Sequence, residues 1–163
     1  MSYPFDDEPR LGLITAAEER LDEAASRAAV IEVVRDAARD IFRSDGVTFI
    51  LREGDHCYYA EEDAIGPLWK GQRFKMTSCI SGWAMRHAQT VAIEDVFRDP
   101  RIPHDVYRHT FVKSLIMTPA GENSPAAAIG AYWAEKQHFT DADIAAVKTM
   151  GFLVGGALKG LIR

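Results

Sequence analysis

Apolar residues recur at Ile14, Ala17, Leu21, Ala24, Ala28, Ile31, Val34, Ala38 and Ile41, always three or four apart. That is the stripe of an amphipathic helix with a near-heptad seam. No proline or glycine interrupts residues 14–42, and Thr15 followed by Glu18 fits a capping box. The pattern predicts one helix over about 15–43, roughly 42 Å long at ~1.5 Å per residue. Such a helix outreaches a small domain, so part of it is expected to project or to pack on a partner. Its first half puts small alanines in the stripe, whereas Val30, Ile31, Val33, Val34, Ile41 and Phe42 read as core. Residues 1–14, with Pro4, Pro9, Gly12 and the run Asp6-Asp7-Glu8, read as a flexible acidic tail.

The period then shortens. Ser44-Asp45-Gly46 is a turn, 47–52 a strand, Glu53-Gly54-Asp55 a hairpin turn and 56–60 the returning strand. Residues 61–70 form an acidic loop around Gly66-Pro67, and 73–76 a short strand. Ser78 or Ser81 can cap a short helix running to His87. Residues 90–94 are strand-like, and 95–110, with Pro100 and Pro103, are a long connection with a helical turn near 104–109. Strands at 112–118 and 127–134 are joined by the loop 121–125.

A last helix over about 140–162 opens on Thr140 and Asp143 as a capping pair, with Phe139 in the staple position. Gly151, Gly155, Gly156 and Gly160 lie inside it, each costing about 0.5–1 kcal/mol relative to alanine. Their spacing leaves flat strips on which another backbone can approach: the N-terminal helix, the sheet or a twin helix. The order of elements and the hairpin connections predict an α+β fold, an antiparallel sheet with the long terminal helices on one face.

The composition, 47% hydrophobic and 26% charged, is that of one globular domain. The formal net charge of −5 speaks against nucleic acid and anionic membrane as partners. Its placement adds more: residues 1–45 carry eleven acids and six bases, while 46–163 carry thirteen of each. A partner meeting the N-terminal helix is therefore expected to be basic and to bind less well in salt. Two cysteines without a CxxC, no long apolar run and no signal-peptide pattern lead to the expectation of a cytoplasmic protein. The common NTPase, dinucleotide, zinc-protease and serine-hydrolase motifs are absent.

One ordered succession goes further. Ser81-Gly82-Trp83-Ala84-Met85, Thr90-Val91-Ala92-Ile93-Glu94-Asp95-Val96, Asp99-Pro100-Arg101 and Phe111-Val112-Lys113-Ser114-Leu115-Ile116-Met117-Thr118-Pro119 are followed by Ile129-Gly130-Ala131-Tyr132-Trp133 and Phe139-Thr140-Asp141. This resembles a GAF domain over roughly residues 15–162, and most of all the GAF sensory modules of bacterial signal-transduction histidine kinases. The resemblance implies a PAS-related six-stranded antiparallel sheet, with the terminal helices on one face and a short helix plus loops over a small-molecule pocket on the other. It also implies signal transduction, since many GAF domains bind cyclic nucleotides, tetrapyrroles or other small ligands and others only dimerise. Two other branches of the family are free methionine-(R)-sulfoxide reductases and haem- or bilin-binding sensors.

Residues 86–113 hold five bases, four acids and three histidines. Arginine forks suit carboxylate or phosphate, and histidine suits a metal, haem or proton. The near balance of charge equally suits a loop whose arginines pair with its own acids. Aromatic side chains bring apolar area with polar tips, as small-molecule sites often do. The candidate pocket residues are Trp83, Asp95, Arg101, His104, Tyr107, His109, Phe111, Ser114 and Tyr132. On the last strand Ile129, Ala131 and Trp133 share one face and Gly130, Tyr132 and Ala134 the other, and the pattern leaves open which face meets the pocket.

His109 falls in the region where some haem-binding GAF sensors carry their proximal histidine. No cysteine lies in 95–111, where bilin-binding and reductase members carry one, and Cys79 is out of register with another family cysteine. Cys57 and Cys79 therefore read as ordinary buried thiols, and with His56 they are too few for a zinc site. No cofactor is required by the sequence.

The expectation is a non-catalytic sensory or regulatory GAF module, dimeric through its terminal helices, with Leu21, Ala24, Ala28, Ile31, Gly151 and Gly155 as dimerisation candidates. The last helix runs to the end of the sequence, so the output is expected to act on a separate signalling protein. The alternatives are the reductase and the haem or bilin sensor.

Overall fold

A computed structural model of the chain describes residues 7–161. The expected single N-terminal helix over 15–43 is two helices, α1 (Glu8–Glu23) and α2 (Arg27–Phe42). Asp7 caps α1 by accepting from the Arg10 amide. The helix stops where Ala24 turns extended, and Ser26 restarts it by accepting from the Ala29 amide at 3.1 Å. A serine cap supplies what the backbone needs to begin a new helix, so the chain folds back as a hairpin instead of projecting. Asp7 pairs with Arg43 at 2.8 Å and Arg20 with Asp36 at 3.2 Å across that hairpin. The part of the expected tail from residue 8 onward is helical, and Arg10 and Ile14 are buried; residues 1–6 of that tail lie outside the described residues. Thr15 is an exposed residue inside α1, not a cap.

The strands are β1 (Gly46–Glu53), β2 (His56–Ala64), β3 (Arg73–Lys75), β4 (Val91–Ile93), β5 (Ser114–Pro119) and β6 (Ala127–Trp133). They form one antiparallel sheet in the order β3-β2-β1-β6-β5-β4. Two short helices, α3 (Ile80–His87) and α4 (His104–Tyr107), precede the long α5 (Asp141–Gly160). Each strand sends alternate residues to opposite faces, which divides the core in two. Ile129, Ala131 and Trp133 join α1, α2 and α5 on one face, whereas Ala128 and Tyr132 join α3, α4 and the long loops on the other. The face left open by the sequence pattern is thereby assigned: Tyr132 belongs to the loop side.

The capping box of α5 is present, Thr140 accepting from the Asp143 amide and Asp143 from the Thr140 amide. Asp143 also draws in the buried Arg10, whose Nη1 donates to Oδ1 at 3.3 Å while Nε donates to the Ile41 carbonyl at 2.9 Å. One guanidinium thus ties together the three helices of this layer. Two of the four glycines of α5, Gly151 and Gly155, face the end of β5 and the loop after it. A Cβ on Gly151 would lie 2.7 Å from the Pro119 carbonyl oxygen, and one on Gly155 only 2.5 Å from the Gly121 nitrogen. Gly151 and Gly155 are therefore occupied within the chain, as is Leu21, which is 3% exposed in the helical core. These three are corrected as dimerisation residues. Ala24 and Ile31 are half-buried and Ala28 is exposed.

Candidate functional site

The loop face is built around Trp69, which a single carboxylate puts in place. The β1–β2 register slips at Phe49/Ile50, so that Ile50 faces Tyr59 and Phe49 faces Glu61. This bulge at Ala60 moves the residues beyond it to the opposite face. Glu62, now opposite Thr48, turns toward the loop side. Its Oε1 accepts from the Trp69 and Lys70 amides at 2.9 and 2.8 Å, and its Oε2 from the Leu68 amide at 3.0 Å. The loop after β2 is thereby pinned back over the sheet with Leu68 and Trp69 inside.

The indole of Trp69 then meets three phenols. Ring centroids lie 5.6 Å from Tyr59, 4.8 Å from Tyr107 and 5.5 Å from Tyr132, in tilted or edge-on arrangements, the geometry aromatic quadrupoles favour. Tyr132 can lie flat on the sheet because residue 130 is glycine: a Cβ there would sit 2.4 Å from the Tyr132 hydroxyl. Burial pushes the phenols of Tyr59, Tyr107 and Tyr132 upward from their ordinary range, so all three stay neutral. Tyr132 pairs with Thr48 Oγ1 at 2.8 Å and Tyr59 with Ser81 Oγ at 3.0 Å. Tyr107 Oη and Trp69 Nε1 make no hydrogen bond among the described residues. The two residues are only 3% and 4% exposed. Among the described residues no buried side-chain nitrogen or oxygen is sealed off without a partner, so both tips still reach accessible space.

Beside this cluster lie the two thiols. Cys57 on β2 and Cys79, the N-cap residue of α3, bring their Sγ atoms to 3.2 Å in a thiol–thiol hydrogen bond, without a disulfide. The Cys57 hydrogen bond, helped by Ser81, the Gly82 amide and Arg86, draws the Cys79 thiol down to about 6 against the opposing effect of burial. Cys57 is pushed up by the same contact and by burial.

The expected pocket residues separate into groups. Tyr107 and Tyr132 stand in the cluster, and Phe111 is half-buried at its edge, with its ring over Gly46. Trp83 is half-buried on α3, its ring stacked on His87 at 4.1 Å, with the Arg101 guanidinium 4.6 Å from the ring centroid. Arg101 is held by Asp99 at 2.6 and 3.0 Å, and His104 Nε2 donates to the Asp99 carbonyl. Arg108 pairs with Asp105. The loop's arginines thus answer its own acids. Asp95 caps the turn at Phe97 and pairs with Lys136, and Ser114 donates to the Glu135 carbonyl. His109 is exposed. Among the described residues no three or more His, Cys, Asp or Glu side chains gather as metal ligands.

The reading of the sequence missed Trp69, Tyr59 and the meeting of the thiols. Leu68-Trp69, an apolar pair directly after Gly66-Pro67 in a polar loop, was the available signal. An open cleft of about 700 Å³ lies elsewhere, between the end of α3, Thr118-Pro119 and α5. It is a surface groove without convergent reactive groups.

Helices on one face of an antiparallel six-stranded sheet and loops with short helices on the other define a three-layer α+β fold. The GAF domain profile matches residues 24–159, and the chain belongs to the GAF family. Among solved structures, the GAF domain of an Acinetobacter phosphoenolpyruvate-protein phosphotransferase superposes with a TM-score of 0.80 at 12% identity, covering 95% of each chain. The free methionine-R-sulfoxide reductase of Neisseria meningitidis, in complex with its substrate, gives 0.80 at 15% identity over 99% of this chain and 96% of that one. A far-red-absorbing domain with bound biliverdin gives 0.73 at 12% identity over 93% and 99%. At these identities the likeness is one of fold. None of the curated proteins matches the sequence. No described helix is long and apolar enough to cross a membrane.

Proposed function

We propose that this chain is a non-catalytic, cytoplasmic GAF module of signal transduction that takes a small molecule at the Trp69 cluster and passes the change to its helical layer. The observation that carries this reading is the pair of polar tips, Trp69 Nε1 and Tyr107 Oη, without a protein partner at positions 96–97% enclosed. Both tips reach accessible space, so a ligand with an aromatic or apolar body and a hydrogen-bond acceptor can exchange with water at both donors. The non-catalytic reading is supported by residues 95–111, which hold no cysteine where reductase members of the family carry one. For the output we propose a second copy of the chain on the outer strip of α5, where Phe152 is 54% exposed and Gly156 and Gly160 have nothing within 4 Å. A separate signalling protein would read that helical layer.

Native mass spectrometry of freshly purified protein tests both parts, because it reports subunit count and retained compound together. A compound of small-molecule mass is expected, and Trp69→Phe and Tyr107→Phe should each weaken its binding by about tenfold. A visible spectrum of the same sample separates haem and bilin from colourless ligands. The ligand reading fails if the protein flies at its bare mass and nucleotides, tetrapyrroles and aromatic metabolites all leave its melting temperature unchanged. A monomer at high concentration removes the dimer.

A further inference from the structure

The thiol pair offers chemistry that the ligand reading does not use. Cys57 and Cys79 are 22 residues apart, yet two pieces of local structure hold them together. β3 pairs with β2 so that Phe74 lies opposite Cys57, and the chain then turns tightly through Met76–Ser78 into α3. That turn is locked because Gly82 lies so close to it that a Cβ would meet the Met76 carbonyl. The two sulfurs are unequal. Cys57 is wholly enclosed, with its Sγ 3.3 Å from Met76 Sδ, while Cys79 keeps 7% exposure at the outer end of the pair. Cys79 also heads α3 and receives the Ser81 hydroxyl at 3.4 Å, and Ser81 in turn meets Tyr59. Hydrogen-bond donors and a helix N-terminus stabilise a thiolate. One sulfur is therefore equipped to attack and the other is positioned to resolve.

We propose that Cys57 and Cys79 form a reversible dithiol–disulfide site, oxidised by a small hydroperoxide and reduced by an exogenous dithiol. The Cys79 thiolate attacks one peroxide oxygen; the O–O bond breaks, and the other oxygen leaves as hydroxide or alkoxide and takes up a proton. Cys79 is then a sulfenic acid. The Cys57 sulfur attacks the Cys79 sulfur, the S–O bond breaks, and water departs with the Cys57 proton. The two thiols have together lost two electrons, which the peroxide has gained. To bond, the sulfurs close from 3.2 Å by about 1.1 Å. In the return step a dithiol attacks the outer sulfur, Cys79, Cys57 leaves as a thiol, and the second thiol of the reductant releases Cys79. Because Ser81 and Tyr59 link Cys79 to the ring packed on Trp69, indole emission should follow the change.

The test uses the whole reduced protein treated with one equivalent of hydrogen peroxide. The expected result is simultaneous loss of both thiols, a loss of two hydrogen atoms in the intact mass, a Cys57–Cys79 peptide link, and full recovery with dithiothreitol. Cys57→Ser should stop at a Cys79 sulfenic acid that dimedone traps, and Cys79→Ser should leave Cys57 unreacted. The wild-type mapping stands whether or not either variant folds. Sulfinic or sulfonic acid at Cys79, a disulfide between chains, or two thiols untouched by peroxide would each overturn the proposal. This outcome is separable from the ligand reading, since peroxide chemistry needs no bound compound.

Discussion

Glu62 is where a single atom-level change should show how the aromatic cluster is assembled. Its two oxygens hold three backbone amides, Oε1 those of Trp69 and Lys70 and Oε2 that of Leu68. Hydrogen bonds to a charged group contribute about 1.5–3 kcal/mol each in net terms, and neighbouring ones are not additive. Lys70 is exposed and its amide can turn to water, so most of the effect rests on Leu68 and Trp69. Glu62→Ala should therefore cost about 2–4 kcal/mol, which for a chain of this size lowers the melting temperature by roughly 4–16 °C. Glu62→Gln keeps a carbonyl oxygen for Trp69 and Lys70 but turns an NH₂ toward the Leu68 amide, so it should fall about midway. Far-UV circular dichroism through urea or heat gives the global effect. Hydrogen exchange of residues 65–71 gives the local one, since a loop can open without unfolding the domain. Unchanged protection of this loop in Glu62→Ala would refute the argument. A glutamine variant as damaged as the alanine one would refute the division between the two oxygens.

Three further outcomes follow from the same geometry. Gly155→Ala should destabilise by about 1–3 kcal/mol because its Cβ meets the backbone of Gly121, whereas Gly156→Ala, facing open space, should be neutral or stabilise by up to about 1 kcal/mol; paired urea titrations decide it. Arg10→Ala should cost about 2–4 kcal/mol by stripping the Ile41 carbonyl of its donor, while Asp143, which is 30% exposed, regains water; an effect below about 0.5 kcal/mol on the urea midpoint would contradict the three-helix tie. Cys79, drawn down to about 6, should alkylate with iodoacetamide at a rate that rises tenfold per pH unit below 6 and levels off above about 7, and Cys57→Ala should move that midpoint upward; a wild-type rate still climbing through pH 8–9 would exclude the thiolate.

What the sequence made legible was whatever local periodicity encodes. The alternation along β6, the capping pair of α5 and the close approach implied by its glycines all have signatures within a few residues of themselves. The break at residues 24–26 does not, because the apolar stripe runs through it in phase and alanine suits a helix as well as a bend. Only the position of Ser26 marks a restart. Arg10 looked like part of a tail because its partner Asp143 is 133 residues away. Trp69 was hidden for a subtler reason: its burial depends on Glu62 facing the loop side, and that depends on a one-residue bulge that inverts the strand's alternation. The thiols likewise meet only through the β2–β3 pairing and the turn that follows.

The same contacts say which element would feel a change at the aromatic cluster. Leu115 and Met117 on β5 and Tyr132 on β6 point into the loop-side core, and their neighbours Ile116 and Ala131 point into the helical one. A strand displaced by a ligand or by a new sulfur–sulfur bond must therefore move both cores. α1 and α2 meet that movement through long side chains, Leu21, Val33 and Phe42 among them, which can change rotamer and absorb it. α5 meets it partly through Val147, Met150 and Val154 and partly at Gly151 and Gly155, where its backbone lies close against Pro119, the Thr118 side chain and Gly121. The close contact at the two glycines leaves little slack, so α5 would be pressed to shift as a body, carrying Asp143 and through it Arg10. The exposed strip with Phe152, Gly156 and Gly160 lies on the same helix, beside that contact. A partner seated there would feel the shift of α5 directly, which is why the outer strip of α5, and not the acidic stripe of α1 and α2, is the face to test for output.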